Sequence, residues 1–516
     1  MNRLYVYFIA IFVLIIGVFV SSCSDSNEKG QVVEFSSPKL NSMKFTVQNN
    51  LYQLIEDVEC EIIGDSIVEC WIKHLLPTKE LVANFDFSGE SVKLNGMTAQ
   101  SGITRCDYSK PATLTISDGE INKEYVVYVH TFTGLPVVWI ETEDRKEIES
   151  KIEYVNASFK LEENVITRAA GDIFEAKVQI KGRGNSSWAV SPKKSYRLKF
   201  DEKISLFDEP KDKAWVMIAN YFDKTMIRNH IAFYLGKKSC LDYTPNFHFV
   251  ELMLNGSYMG TYMLGDKLKI SKSRVNVGDD GFLLEIDERA TNPDESDPYF
   301  RTEHLEQPVS IKDPEVQIDD ENYNYIKDFV TSAESALFAD NFRDEKAGWR
   351  KYFDEESLVD WFIIHEIARN YDPLFLFTSC YINLKRGGKL KMGPIWDFDV
   401  TFGNNQNPLL YPIEGMAGER SSWFHRLIED AEFRNQVKSR YEYFYSLKDD
   451  ILEEIDSSAI YLKYSVDENN NKWEVLYNIG FGNHNAWGNY QNEIQCLKEW
   501  IVKRMDWLKV EFSKYN

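Results

Sequence analysis

The sequence predicts a multidomain protein, an N-terminal all-β sandwich followed by a larger α+β domain. Three observations carry that expectation. The length of 516 residues implies two or three domains, each long enough to bury a core. Between residues 43 and 132, short β-branched and aromatic runs recur between turn residues, the pattern of a sandwich. From about residue 135, helical periodicities enter among the strands. The apolar fraction of 43% and aromatic fraction of 14% suit a folded chain. A net charge of -22, from 81 acidic and 59 basic residues, would repel a phosphate backbone and argues against a nucleic-acid partner.

The first element is an address. Arg3 precedes an apolar run from Leu4 to Val20, and Val20-Ser21-Ser22-Cys23 follows it. A basic start, an apolar core and small residues before a cysteine form a secretory signal over residues 1–22. The last four residues resemble a bacterial lipobox, which implies a lipidated Cys23 as the mature N-terminus. Multiple acylation holds a chain to a membrane at roughly 0.8 kcal/mol per buried methylene. A lipid-anchored place in the cell envelope is therefore expected, with the outer membrane or cell surface favoured. Residues 23–42 read as a polar tether.

The sandwich is expected over residues 43–132. Its strands are read at Lys44–Val47, Cys60–Ile63, Ser66–Ile72, Leu81–Phe85 and Glu124–Val129. Gly64-Asp65, Ser88-Gly89, Asn95-Gly96 and Asp118-Gly119 supply the turns. It looks like the immunoglobulin-like modules that precede catalytic domains in envelope lipoproteins. A glycan contact through aromatics such as Trp71 or Phe85 is conceivable, with core packing the favoured use. Cysteines after Cys23 are far apart and show no CxxC, which speaks against zinc. Cys60–Cys70 could bridge a hairpin, but both alternate with apolar neighbours, so buried free thiols are favoured.

The larger domain is expected over residues 135–512. Its first dense feature is Lys181-Gly182-Arg183-Gly184-Asn185-Ser186-Ser187-Trp188 between two alternating strands. Such a loop can fold backbone N–H groups over phosphates, with Lys193 and Lys194 entering the next strand as phosphate partners. Asn255-Gly256 between alternating runs is a strong hairpin signal. Further on, Gly387-Gly388 and a short apolar strand lead into Trp396-Asp397-Phe398-Asp399. Two carboxylates two residues apart suit a hard cation, and Mg2+ commonly takes one or two carboxylates plus substrate phosphates.

Taken with the Trp215-to-Asn220 strand, the Arg228-Asn229 helix start, Glu285-Ile286-Asp287-Glu288, Ile311-Lys312-Asp313-Pro314 and the closing Leu497-Lys498-Glu499-Trp500 with Arg504, these motifs resemble the CotH kinase family over roughly residues 135–512. The resemblance implies an atypical protein-kinase-like domain that uses ATP and Mg2+ to phosphorylate Ser or Thr of envelope or extracellular proteins. It implies a nucleotide loop of Arg183, Gly184, Asn185, Ser186 and Ser187. Lys193 or Lys194 would pair the phosphates, with neighbouring Arg197 and Lys199 as spares. Asp372, after the helix that carries Glu366, would be the catalytic carboxylate, and Asp397 and Asp399 would hold the metal. Ser379 stands near the place where related sequences carry an asparagine as a second metal ligand. The alternative expectation is a non-catalytic adhesion or glycan-associated lipoprotein.

The remaining candidates are weaker. His230, His248, His304, His365 and His425 have no metal-ligand spacing. Asp287, Glu288 and Arg289 could contact substrate or form an acidic surface loop. Ile494, Leu497, Ile501, Met505 and Leu508 recur at helical spacing, which predicts a closing amphipathic helix.

Overall fold

The computed structural model describes residues 37–515 other than 75, 77, 164–172, 292–296, 377, 419–420 and 481. Cys23 and the signal segment lie outside the described residues.

Two antiparallel-rich sheets build the N-terminal unit around one core. The first has four strands, including Lys39–Phe45 and Glu80–Ser88; the second has six, including Ile67–Ile72, Ala112–Asp118 and Ile121–Thr131. Met43, Phe45, Val68, Leu81, Leu114, Ile116 and Val127 fill the space between them. The opening strand begins at Lys39, inside the stretch read as tether, because Leu40 and Met43 are already core residues. Ala112–Asp118 escaped the sequence reading although it alternates cleanly, with Ala112, Leu114 and Ile116 inward.

One cysteine expectation is overturned. Cys60 and Cys70 form a disulfide, with Cα atoms 4.3 Å apart. Glu61 pairs with Glu69, so the two cysteines sit opposite each other at the next position of the ladder. Sharing the inward face, which suggested buried thiols, is what lets them meet. Cys106, Cys240, Cys380 and Cys496 are free.

The second unit starts with a closed seven-stranded barrel. Around it run Val137–Thr142, Val155–Glu162, Ile173–Arg183, Ser195–Ile204, Asp212–Ile218, Ser257–Asp266 and Phe247–Leu254. Closure comes from parallel pairing of Val137–Ile140 with Glu251–Leu254; the other pairs are antiparallel. Asn255 and Gly256 turn the expected hairpin with φ of 51° and 82°. Leu198, Phe200, Trp215, Met217, Tyr262 and Leu264 pack the interior.

A five-stranded sheet and several helices form the other half. The sheet orders Tyr299–Arg301, Pro308–Asp313, Phe282–Ile286, Cys380–Leu384 and Leu390–Met392. The helices Glu355–Ala368 and Tyr490–Ser513 run through the largest core of the molecule. Ile494, Leu497, Ile501, Met505 and Leu508 are all buried, as their spacing predicts. Among the described residues no helix is long and apolar enough to cross a membrane.

Candidate functional site

A cleft of about 820 Å³ opens between the barrel and the sheet-and-helix half. Its barrel wall carries Arg183 to Ser187, Lys193 and Ser195; the opposite wall carries Asp372, Ser379, Asp397 and Asp399. Residues more than 200 positions apart in the chain, Arg183 and Asp397 among them, thus line one cleft.

The loop at Arg183 owes its shape to two glycines. A Cβ on Gly182 would stand 2.3 Å from the Trp188 ring, and one on Gly184 would stand 2.3 Å from Ser187 Oγ. Gly184 also takes φ +97°, which strains other residues. The loop folds into a single helical turn, Ser186–Val190. Arg183 lays its guanidinium 5.5 Å from the centroid of Trp396. Burial lowers its pKa, while the nearby Asp397 charge opposes that shift.

The two lysines part company. Lys193 is buried in the barrel wall and donates to Ala219 O at 3.0 Å, Asn469 Oδ1 at 2.8 Å and also to Thr261 O. Burial pulls its ammonium down to about 7, partly countered by Glu251. Lys194 is not part of the cleft wall; it donates to Trp188 O at 2.6 Å and so braces the loop from behind.

The carboxylate wall is held by its backbone. Asn229 Oδ1 accepts from Phe398 N at 2.8 Å, Asn370 Nδ2 donates to Asp397 O at 3.1 Å, and Phe402 N donates to Ala368 O at 2.8 Å. Phe398 is fully buried against His365, whose ring lies 5.0 Å away. That histidine is a packed core residue: burial drives its pKa well down and neither ring nitrogen has a partner among the described residues. Asp372 opens a turn of π-helix, Asp372–Leu376, just beyond the helix Glu355–Ala368. Ser379 Oγ stands 3.4 Å from Asp397 Oδ2 and donates toward it.

These carboxyls repel one another, with Asp397 exposed to the cleft and Asp372 and Asp399 half-buried beside it. Burial and then the Asp397 charge raise Asp372 to about 6. Asp399 is driven well up by burial, then by Asp397, Asp223 and Asp372. Clustered negative charge of this kind favours a cation. Among the described residues no three His, Cys, Asp or Glu groups are gathered closely enough to hold a metal alone. Magnesium does not need that, since it habitually keeps one or two carboxylates and takes the rest of its oxygens from substrate and water. The donor set therefore fits Mg2+.

The cleft also takes in Asp287 and Arg289, which the sequence offered as substrate contacts, and adds Glu285 and Lys312. Arg289 Nε donates to both Asp287 oxygens at 2.8 Å, and Lys312 reaches Glu285 at 3.3 Å and also Asp297. The Glu285 and Lys312 motifs were visible, but no local pattern shows that their side chains pair across neighbouring strands. Of the two sandwich aromatics, Phe85 is buried and Trp71 is half-buried. Phe85 is core, and Trp71 stacks on Tyr258 at 5.8 Å where the two units meet.

Comparison with known proteins agrees on the family level. A protein-family model described as CotH kinase protein matches residues 180–508. No curated protein matches the chain. A solved structure from Bacteroides thetaiotaomicron VPI-5482, provisionally described as a glycoside hydrolase, aligns at 11% identity over 58% of this chain and 89% of that one. Its TM-score is 0.18, too low to carry an argument about fold or activity.

Proposed function

The chain belongs to the CotH kinase protein family, and from that membership and the cleft we propose that it is a phosphotransferase. It would pass the γ-phosphoryl group of ATP to a Ser or Thr hydroxyl of an envelope or extracellular protein. The observation that supports this most is the convergence of the Arg183 loop with Asp372, Asp397 and Asp399 in one cleft.

Each residue has a task its surroundings suit. Loop residues Arg183 to Ser187 would cover the phosphates, with Arg183 supplying positive charge from a site where it forms no ion pair among the described residues. Lys193 is spent on three protein oxygens and would hold the wall in shape beside the phosphates. Asp397 and Asp399 would hold Mg2+, which when bound neutralises phosphate charge. Asp372, with its carboxyl near 6, would orient the acceptor hydroxyl and take up its proton. Membrane attachment through Cys23 and an immunoglobulin-like role for the N-terminal unit complete the proposal.

The test is transfer of radiolabel from γ-labelled ATP to envelope proteins or to the chain itself. Asp372→Asn and Asp397→Asn should each lower transfer at least a hundredfold. Tight Mg2+-dependent ATP binding without any transfer would instead assign the chain to the non-catalytic reading, which the serine at position 379 favours. Absence of both binding and transfer would defeat the proposal.

A further inference from the structure

Past the cleft, the outer face of the barrel continues as a row of cations that form no close ion pair among the described residues, although the charges of Asp397 and Glu285 reach Arg183 and that of Asp313 reaches Lys267. Backbone register sets it out. Arg183 pairs with Ser195, and both line the cleft; Lys181 pairs with Arg197, which pairs in turn with Val216. Side chains two residues apart project from the same face of a strand, about 7 Å along. Lys181 and Arg197 therefore extend the cleft wall by one row. Lys267 follows the strand Ser257–Asp266 next to the same edge.

Arg197 is the common neighbour of this group: its charge acts on Tyr154, Lys181, Arg183 and Lys267. Burial, then Arg197, lowers Lys267 to about 8. In a chain of net charge -22, none of Arg183, Arg197 and Lys267 has an ion-pair partner among the described residues. Lys312, on the cleft side of Lys267, is by contrast neutralised by Glu285 and Asp297. Two buried donors here also lack partners among the described residues, Arg197 Nε and Tyr154 Oη. Leaving such groups unpaired costs on the order of 1–3 kcal/mol each. An oxyanion on this face would compensate the charge of Arg197, Lys181 and Lys267 together.

We propose that this row is an anion subsite that reads the acceptor, selecting a peptide in which an acidic or phosphorylated residue neighbours the accepting hydroxyl. The inference rests on the phosphotransferase reading of the cleft. Arg197, expected from the sequence as a spare phosphate partner, lies outside the cleft wall, as does Lys267. A ligand must therefore run out of the cleft to reach them, as an extended peptide does.

The experiment measures binding, so it does not depend on turnover. A fluorescent Ser peptide flanked by glutamates and its lysine-flanked counterpart are titrated with the full-length protein, and Mg·ATP affinity is measured in parallel. The glutamate peptide should bind at least tenfold tighter, and the gap should narrow as salt is raised. Arg197→Met and Lys267→Met should each remove most of that preference while changing Mg·ATP affinity less than twofold. Equal binding of the two peptides by the wild type overturns the proposal without recourse to any variant. Equal losses of peptide and Mg·ATP binding in the variants also overturn it, because the row would then serve the nucleotide. Failure of phosphoryl transfer alone bears on the proposed function and leaves these binding results standing.

Discussion

Asp397 and Ser379 are both left-handed, with φ of 67° and 55°. Among non-glycine residues, asparagine and aspartate tolerate that region best. Two expectations follow from backbone and charge together. Asp397→Asn keeps the conformation and removes the charge that raises Asp372 and Asp399, so the metal-free protein should melt at a higher temperature at neutral pH. The same variant should lose the stabilisation that Mg2+ with ATP gives the wild type. Asp397→Ala adds a strain of about 1 kcal/mol and should melt below the asparagine variant. Melting curves with and without Mg·ATP check all three; an asparagine variant that still responds fully to Mg·ATP would remove Asp397 from the metal site. Ser379→Asn fits the backbone equally well and brings an amide oxygen beside Asp397. Transfer should rise severalfold in that variant, and no change would show that the serine does not limit the reaction.

At the scale of elements, the carboxylate wall depends on how the helix Glu355–Ala368 is held. Glu366 accepts from Arg504 at 2.8 Å and from the backbone N–H groups of Ala417 and Gly418 at 3.1 and 2.6 Å. Arg504 in turn donates to Glu366 O at 2.9 Å and Gly415 O at 2.8 Å. Burial raises the Glu366 carboxyl and lowers Arg504 to about 10, so each ion tolerates its site only because the other is there. Arg504→Met should therefore cost about 3–5 kcal/mol by stranding a buried carboxylate. Glu366→Gln, which can still accept from the backbone, should cost less. Denaturant unfolding separates the two, and a loss below about 1 kcal/mol for Arg504→Met would contradict the account. The contrast with the sequence reading is physical. Helix Tyr490–Ser513 was legible because its apolar spacing is local, and the Arg183 loop because glycine and alternation mark it. Barrel closure was not, since Val137–Ile140 and Glu251–Leu254 pair across more than 100 residues with no local signal. Nor could the sequence show that Asn469, far toward the C-terminus, would accept from Lys193 in the cleft wall.

Across the whole molecule, that asparagine ties the cleft to the N-terminal sandwich. The preceding residue, Glu468, accepts from His130 at 3.2 Å and from Lys79, both on the sandwich. Nearby, Glu69 of the sandwich accepts from Tyr258 N at 2.5 Å and from Lys472 at 2.6 Å. Helix Lys463–Trp473 thus touches the sandwich through Glu468 and Lys472, and the cleft wall through Asn469. Burial alone would raise Glu468, but His130 and Lys79 outweigh it and hold the carboxyl below its ordinary 4.5. A depressed folded pKa places the stabilisation above the unfolded value and removes it as pH falls through the folded one. The junction should therefore be at full strength above about pH 4.5 and weaken below it. Glu468→Ala strands the Lys79 ammonium and leaves His130 Nδ1 without this partner, and should cost about 3–5 kcal/mol. Calorimetry should then show the sandwich and the larger unit melting as two transitions, at neutral pH in the variant and only in acid in the wild type. The displaced helix should also loosen Asn469 from Lys193 and weaken Mg·ATP binding severalfold. A variant that melts in one unchanged transition and binds nucleotide normally would show that the two units share a surface but no energetic link.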